Sequence, residues 1–200
     1  PESTLAVTLD VGTGNDALRD DPLYLGERQA RLTGEAYFEF VEEFVQATQA
    51  VFPGVVVQFE DFNNACAFGL LSRHRSRVCC FNDDVQGTGA MGLAGLRAAG
   101  RITGRALREE RLLFAGAGEA ALGIGALVVA ALQRDGLSAS DALARCLFLD
   151  SRGAVVSSRT DLAPHKRAVA RDLASVSDLA EAVHRFTPTV LVGASGRGGL

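Results

Sequence analysis

Two apolar runs, Val55-Val56-Val57-Gln58-Phe59 and Arg77-Val78-Cys79-Cys80-Phe81, each end on a group of acids. The first opens into Glu60-Asp61-Phe62, the second into Asn82-Asp83-Asp84. Both runs read as β-strands and the interval 62–75 suits one helix, so strand–helix–strand with parallel pairing is the economical arrangement. Such a unit opens both strand ends on one sheet edge, where α/β proteins place their ligands. Carboxylates gathered there repel one another unless a cation or a Lys/Arg side chain neutralises them. With no His or Cys beside them, Glu60, Asp61 and Asp84 offer hard oxygen donors, a set that favours Mg²⁺ or Mn²⁺ over zinc. Helix capping by Asp61 and Asp84 is the competing reading; it explains one acid per turn but not pairs.

A second signal follows. Arg111-Leu112-Leu113-Phe114-Ala115 runs into Gly116-Ala117-Gly118-Glu119-Ala120-Ala121, and an apolar helical pattern continues over 123–132. Strand, G-x-G-x-x-A and helix in that order form a dinucleotide-binding turn. Gly116 makes the tight turn, Gly118 admits a pyrophosphate to the backbone, and Ala121 keeps helix and sheet close. The next strand, Cys146-Leu147-Phe148-Leu149, ends at Asp150, the position of a ribose-binding acid. It lies farther along than the usual twenty or so residues, the excess being taken up by 134–144, with a Ser138-x-x-Asp141 helix-start signal. Asp150 favours a ribose hydroxyl, whereas Arg152 and Lys166 favour a 2′-phosphate, so this pattern alone leaves NAD and NADP balanced.

Elsewhere, 35–52 has helical periodicity with Tyr37, Phe40, Val41, Phe44, Val45, Thr48 and Val51 on one face. After Val85-Gln86-Gly87-Thr88 a small-residue helix is expected through about 99, then a basic solvated connection over 100–110, a helix over 179–186 and a strand over 189–193. His74, His165 and His184 read as solvated surface side chains. A net charge of −4 without a basic block argues against nucleic acid as a partner. The longest uncharged apolar run, 120–132, is too short to cross a bilayer, and no secretory signal opens the chain. Cys66, Cys79, Cys80 and Cys146 lack C-x-x-C spacing, and Cys79 and Cys80 on a strand face opposite sides, against a zinc pair. Reduced thiols point to the cytoplasm, with a mitochondrial or plastid matrix as the alternative. The chain starts at Pro1 and stops at Leu200 after a Gly-rich turn, and is read as a segment of something longer.

Leu9-Asp10-Val11-Gly12-Thr13, Asp21-Pro22-Leu23-Tyr24-Leu25-Gly26, Gln58-Phe59-Glu60-Asp61-Phe62, Phe81-Asn82-Asp83-Asp84-Val85-Gln86-Gly87-Thr88 and Gly116-Ala117-Gly118-Glu119-Ala120-Ala121-Leu122-Gly123 occur in this order. Together they resemble the eukaryotic-type malic enzymes over essentially the whole segment. The resemblance implies oxidative decarboxylation of L-malate to pyruvate and CO₂ with a nicotinamide cofactor and Mg²⁺ or Mn²⁺. It implies Glu60, Asp61 and Asp84 as metal ligands, with Asp83 beside them tuning the catalytic base. It places Asn64, Asp84, Thr88, Gly116, Gly118, Glu119, Ala120, Ala121, Asp150, Ser151, Arg152 and Lys166 on the cofactor side. Family members that prefer NADP carry Ser-Lys after the strand-ending acid and a further Lys, so Ser151-Arg152 and Lys166 lean to NADP. The family's lysine base, tyrosine acid and malate-binding arginine are expected before Pro1, and its substrate-gripping asparagines beyond Leu200. Ala65-Cys66 and Gly69 depart from the family pattern close to the cofactor side.

The expectation is an α/β chain: a parallel-sheet substrate and metal part over 1–82, then a Rossmann-like dinucleotide-binding domain over 83–200. For the full-length protein it is a homo-oligomer, dimer or tetramer, with a small-molecule substrate and neither membrane nor nucleic acid as partner. Two other readings stand: a catalytically silent nucleotide-binding module, and another metal-assisted hydroxy-acid dehydrogenase.

Overall fold

In the computed structural model of the chain, the Asn15 side chain accepts the N–H groups of Ala17 and Leu18 and starts α1, Asp16–Asp20. The structure describes residues 3–196, without the side chains of Asn64 and Ala65. It divides into two units, Pro1–Val55 and Val56–Leu200. In the first, Asp10 accepts the N–H groups of Gly12 (2.9 Å) and Glu27 (2.8 Å), tying two distant loop segments together. Gly12, at φ +76°, stands where a Cβ would lie 2.7 Å from the Gln29 carbonyl oxygen, so the turn admits only glycine. Helix α2, Gly34–Val51, buries Tyr37, Val41 and Val45 as its periodicity predicts. Its apolar stripe is narrower than expected: Phe40 and Val51 are exposed.

In the second unit, β1 (Val57–Phe59) and β2 (Cys80–Asn82) pair in parallel, Val57 opposite Cys80 and Phe59 opposite Asn82. The crossover is α3, Asn64–His74. Only three residues of each apolar run pair; Val56 and Cys79, just outside, are exposed. Helix α3 turns Ala67, Leu70, Leu71 and His74 inward. His74 is 1 % exposed and lies beside Phe59, with ring centroids 5.6 Å apart, which corrects the expectation of a solvated histidine. The chain leaves β2 through a π-turn, Asp83–Gly87, and runs into α4, Thr88–Thr103, past the expected end near 99.

The second sheet is built from β3 (Leu112–Ala115), β4 (Cys146–Asp150), β5 (Gly153–Ala154) and β6 (Val190–Gly193) in the order β5-β4-β3-β6. Between them run α5 (Glu119–Arg134), α6 (Ala139–Ala144), α7 (Pro164–Arg167) and α8 (Leu179–Phe186). Ser138 caps α6 by accepting the Asp141 N–H at 3.1 Å, as its sequence signal predicts. β3 pairs in parallel with both β4 and β6, so strand order reverses at β3 and opens a crevice at its carboxyl end. The two-residue antiparallel β5 and the one-turn helices α1 and α7 are too short for periodicity to reveal.

Burial on both faces of β3 accounts for its unbroken apolar sequence. Phe114 stacks on Phe148 of β4 at a centroid distance of 4.5 Å, and Leu112, Val128, Leu132 and Cys146 complete the core on that side. On the other side Leu113, Leu147 and Val156 pack with Ala182 and Phe186 of α8. The Cys146 thiol is pushed up to about 12, chiefly by burial, and stays a neutral core group. Replacing Phe148 by Ala should cost about 3–5 kcal/mol of folding stability through the cavity left against Phe114, read as a lower urea midpoint at unchanged slope.

Candidate functional site

The turn after β3 cannot carry a side chain at its first position. Gly116 has φ +139°, and a Cβ there would fall 2.1 Å from the Ala194 carbonyl oxygen of the loop after β6. The chain then passes Ala117, buried, to Gly118, which caps α5 with no side chain in the way of the first-turn N–H groups. Those N–H groups and the helix dipole make an anion site at the sheet's switch point. Ala121 is fully buried and Ala120 partly so, which sets α5 close to the sheet.

The acids at the ends of β1 and β2 meet. Asp84 Oδ2 accepts the backbone N–H of Asp61 at 2.8 Å, with Asp61 in the left-handed region at φ +57°. Capping is done elsewhere: Asn82 Oδ1 takes the Val85 N–H (2.8 Å) and Gln86 Oε1 takes the Asn82 N–H (3.0 Å). The capping reading of Asp84 therefore does not hold, and its carboxylate reaches across to the β1 end. Asp83 folds back over Gly87, where a Cβ would meet its Oδ1 at 2.0 Å. Glu60 is exposed and accepts from Gln58 Nε2 at 3.0 Å. Thr88, half-buried, opens α4. The side chain of Asn64 lies outside the described residues.

Glu119 joins this group from the dinucleotide loop. Burial first, then the charges of Asp84 and Asp61, push its carboxyl up to about 7. Three carboxyl groups thus influence one another where the loop meets the acid pair. The donor set, all carboxylate oxygen, fits Mg²⁺ or Mn²⁺ in chemistry. Among the described residues no three His, Cys, Asp or Glu side chains are gathered into a ready cage.

At the end of β4 the situation is reversed. Asp150 Oδ1 accepts from Arg159 Nη1 (2.8 Å) and the Arg152 N–H (2.9 Å), while Oδ2 accepts from Arg159 Nη2 (3.1 Å) and Lys166 Nζ (2.8 Å). Its four acceptor positions are filled. Arg152 and Arg159 also bind Asp161, so three cations surround two carboxylates. Ser151 is exposed beside them. Burial raises Asp150, but the bonds from Arg159, Lys166 and Arg152 outweigh it and bring the carboxyl down to about 2. Arg159 was not singled out in the sequence; nothing in its spacing ties it to Asp150, although Arg159-x-Asp161 is a polar pair in an otherwise small-residue loop. His165 is half-buried and stacked on Phe68 of α3 at 5.2 Å, not solvated as expected, and burial lowers its pKa. His184 is exposed, as expected.

A β-α-β crossover over a glycine turn, with an acid pair at its side, defines a dinucleotide-binding α/β protein. The match to known proteins is closer. Residues 85–200 match the family described as malic enzyme, NAD binding domain, and residues 1–75 match malic enzyme, N-terminal domain. The chain belongs to the malic enzyme family. It is 44 % identical over 200 residues to an NADP-dependent malic enzyme of Columba livia and 43 % identical to that of Homo sapiens. It is 42 % identical over 209 residues to an NAD-dependent malic enzyme of Sodalis glossinidius. All of this chain is covered in each match, but only 35–37 % of each relative, so it spans about a third of their length. A crystal structure of the Entamoeba histolytica malic enzyme superimposes with a TM-score of 0.68 at 26 % identity, over 80 % of this chain and 32 % of that one. A Thermotoga maritima NAD-dependent malic enzyme, at 22 % identity and TM-score 0.63, covers 84 % of this chain and 42 % of its own, and shares the fold. Among the described residues, no helix is long and apolar enough to cross a membrane.

The depressed pKa of Asp150 sets a pH dependence. The stability it contributes is fully present above the unfolded carboxyl value near 4, and fades as pH falls towards about 2. Its size is roughly 2 kcal/mol. Urea midpoints between pH 5 and pH 2 should fall less steeply for Asp150→Asn than for the parent.

Proposed function

We propose that the full-length protein is a decarboxylating malate dehydrogenase: it oxidises L-malate to pyruvate and CO₂, reduces NADP, and depends on Mg²⁺ or Mn²⁺. The observation that carries this reading is the contact of the Asp61 N–H with Asp84 Oδ2 at 2.8 Å, beside a π-turn whose Val85 carbonyl packs on Gly123 of the dinucleotide helix, so that the acid pair stands next to that loop. Residues 1–82 form the substrate and metal part and 83–200 the Rossmann-like domain, a division supported by the family match that begins at 85.

In this reading the first-turn N–H groups of α5 and the Gly116–Gly118 backbone bind the pyrophosphate. Glu60, Asp61 and Asp84 hold the divalent cation, with Asp83 beside them tuning the base and Asn64 and Thr88 on the cofactor side. Bound there, the cation supplies Lewis-acid polarisation of the malate oxygens and of the carbonyl formed from them. The hydroxyl proton lost and the enolate proton gained would need a general base and a general acid, which the family resemblance assigns to residues outside these 200.

The preference for NADP is supported by Asp150. Saturated by Arg159, Lys166 and Arg152, it has no acceptor left for a ribose 2′-hydroxyl, and the surplus cation of the cluster suits a 2′-phosphate. The resemblance supports a homo-oligomer, dimer or tetramer, and the free cysteines support a reducing compartment such as the cytoplasm.

The silent nucleotide-binding module has one observation in its favour, the lack of three gathered metal donors among the described residues. Malate-dependent NADPH formation by the full-length protein with Mn²⁺ decides between them: turnover with release of CO₂ is expected, and binding of NADPH without turnover selects the module. Replacing Lys166 by Ala should lower the NADP-over-NAD preference in kcat/KM by about tenfold. An unchanged ratio would remove Lys166 from the 2′-phosphate site.

A further inference from the structure

The main chain of Val85, the residue after Asp84, is held at both its N–H and its carbonyl. Its N–H is taken by Asn82 Oδ1 at 2.8 Å, from the strand end that precedes the acids. Its carbonyl oxygen lies against the backbone of α5, where a Cβ on Gly123 would stand 2.0 Å from that oxygen and 2.8 Å from the carbonyl carbon. Both partners in this contact are main chain, so neither has a flexible end to swing away. Gly123 is also confined from α4: a Cβ on Gly89 would lie 2.8 Å from the Gly123 carbonyl oxygen. Asn82 is fully buried. Gly123 sits on the first turns of the helix whose N-terminus carries the Gly116–Gly118 loop. Asp84 is one residue from the gripped peptide, inside a π-turn, a form of helix often found at functional sites.

We propose that Gly123 and Asn82 are positioning residues that hold the main chain of Val85 at its carbonyl and its N–H respectively, so that the dinucleotide helix fixes where the Asp84 carboxylate stands. This rests on the reading of Asp84 as a metal ligand and deepens it. Neither is among the residues assigned above to the cation or the cofactor. Each acts through a main-chain position one residue from the ligand, so displacing Val85 changes metal affinity without removing a donor. Gly125 provides the control: the atoms nearest a Cβ there are those of the Phe148 ring, from 2.4 Å, so a side chain would disturb core packing and not the main chain of Val85.

The test uses the full-length enzyme and direct binding: Mn²⁺ by electron paramagnetic resonance and NADPH by fluorescence, with melting temperatures alongside. Gly123→Ala and Asn82→Ala should weaken Mn²⁺ binding by about ten- to a hundredfold, the usual cost of disturbing a residue that orients a metal ligand. Asn82→Ser, which keeps a capping oxygen, should recover most of the loss. Gly125→Ala should lower the melting temperature while Mn²⁺ affinity stays within about twofold of the parent. Mn²⁺ affinities in Gly123→Ala and Asn82→Ala within about twofold of the parent would overturn the proposal. So would a Gly125→Ala variant as impaired as Gly123→Ala, since the effect would then be general loosening of the fold. If Gly123→Ala fails to fold, the Asn82→Ala and Asn82→Ser pair decides alone. A parent that binds Mn²⁺ and NADPH but forms no NADPH from malate refutes the activity, while the clamp stands or falls on the binding constants. A parent that binds no Mn²⁺ overturns the clamp.

Discussion

The crowding of main chain at the carboxyl end of β3 is the constraint on which the rest depends. The strand is buried on both faces and flanked by parallel neighbours, so the chain can leave it only upward into a crevice already narrowed by the loop after β6. At Gly116 the Ala194 carbonyl comes closer than any Cβ allows, and the turn is made by backbone alone. The reversal of strand order at β3 and the start of α5 then coincide at one point. A hydrophobic core and an anion site are therefore consequences of the same strand: its apolar sequence builds one and its exit builds the other.

Two ends of this unit treat charge in opposite ways. Around Asp61, Asp84 and Glu119 acids are brought together, and burial first, then the neighbouring charges, hold the Glu119 carboxyl up at about 7. Around Asp150 every acceptor position is filled by guanidinium, ammonium or backbone N–H. Neighbouring acids raise one another's pKa, whereas a carboxylate already satisfied leaves its surplus cations to an anion.

Much of this was legible in the chain. The parallel pairing of β1 with β2, the α5 turn and the Ser138 cap follow from runs and motifs longer than a turn. What escaped lay in side chains whose partners are remote or whose neighbours disguise them. His74, set between Arg73 and Arg75, reads as solvated, yet Ala67, Leu70 and Leu71 precede it at the spacing of one buried helical face, and that periodicity places it inside. His165 finds its ring partner in Phe68, nearly a hundred residues earlier, and no local pattern announces it. The π-turn over Asp83–Gly87 is invisible to periodicity, because its extra residue per turn is imposed by Asn82, Gln86 and the packing of Gly123 on Val85.

The two residues of β5 have one more consequence. An outermost strand is normally a ladder of unused donors and acceptors on which a second chain can grow. Here the Ala154 N–H is taken by the Val176 carbonyl, and the Gly153 and Ala154 carbonyls receive Arg159 Nη1. The guanidinium that neutralises Asp150 thus also occupies the acceptors on this side of the sheet, so a substitution of Arg159 would bare an edge on which a second chain could pair.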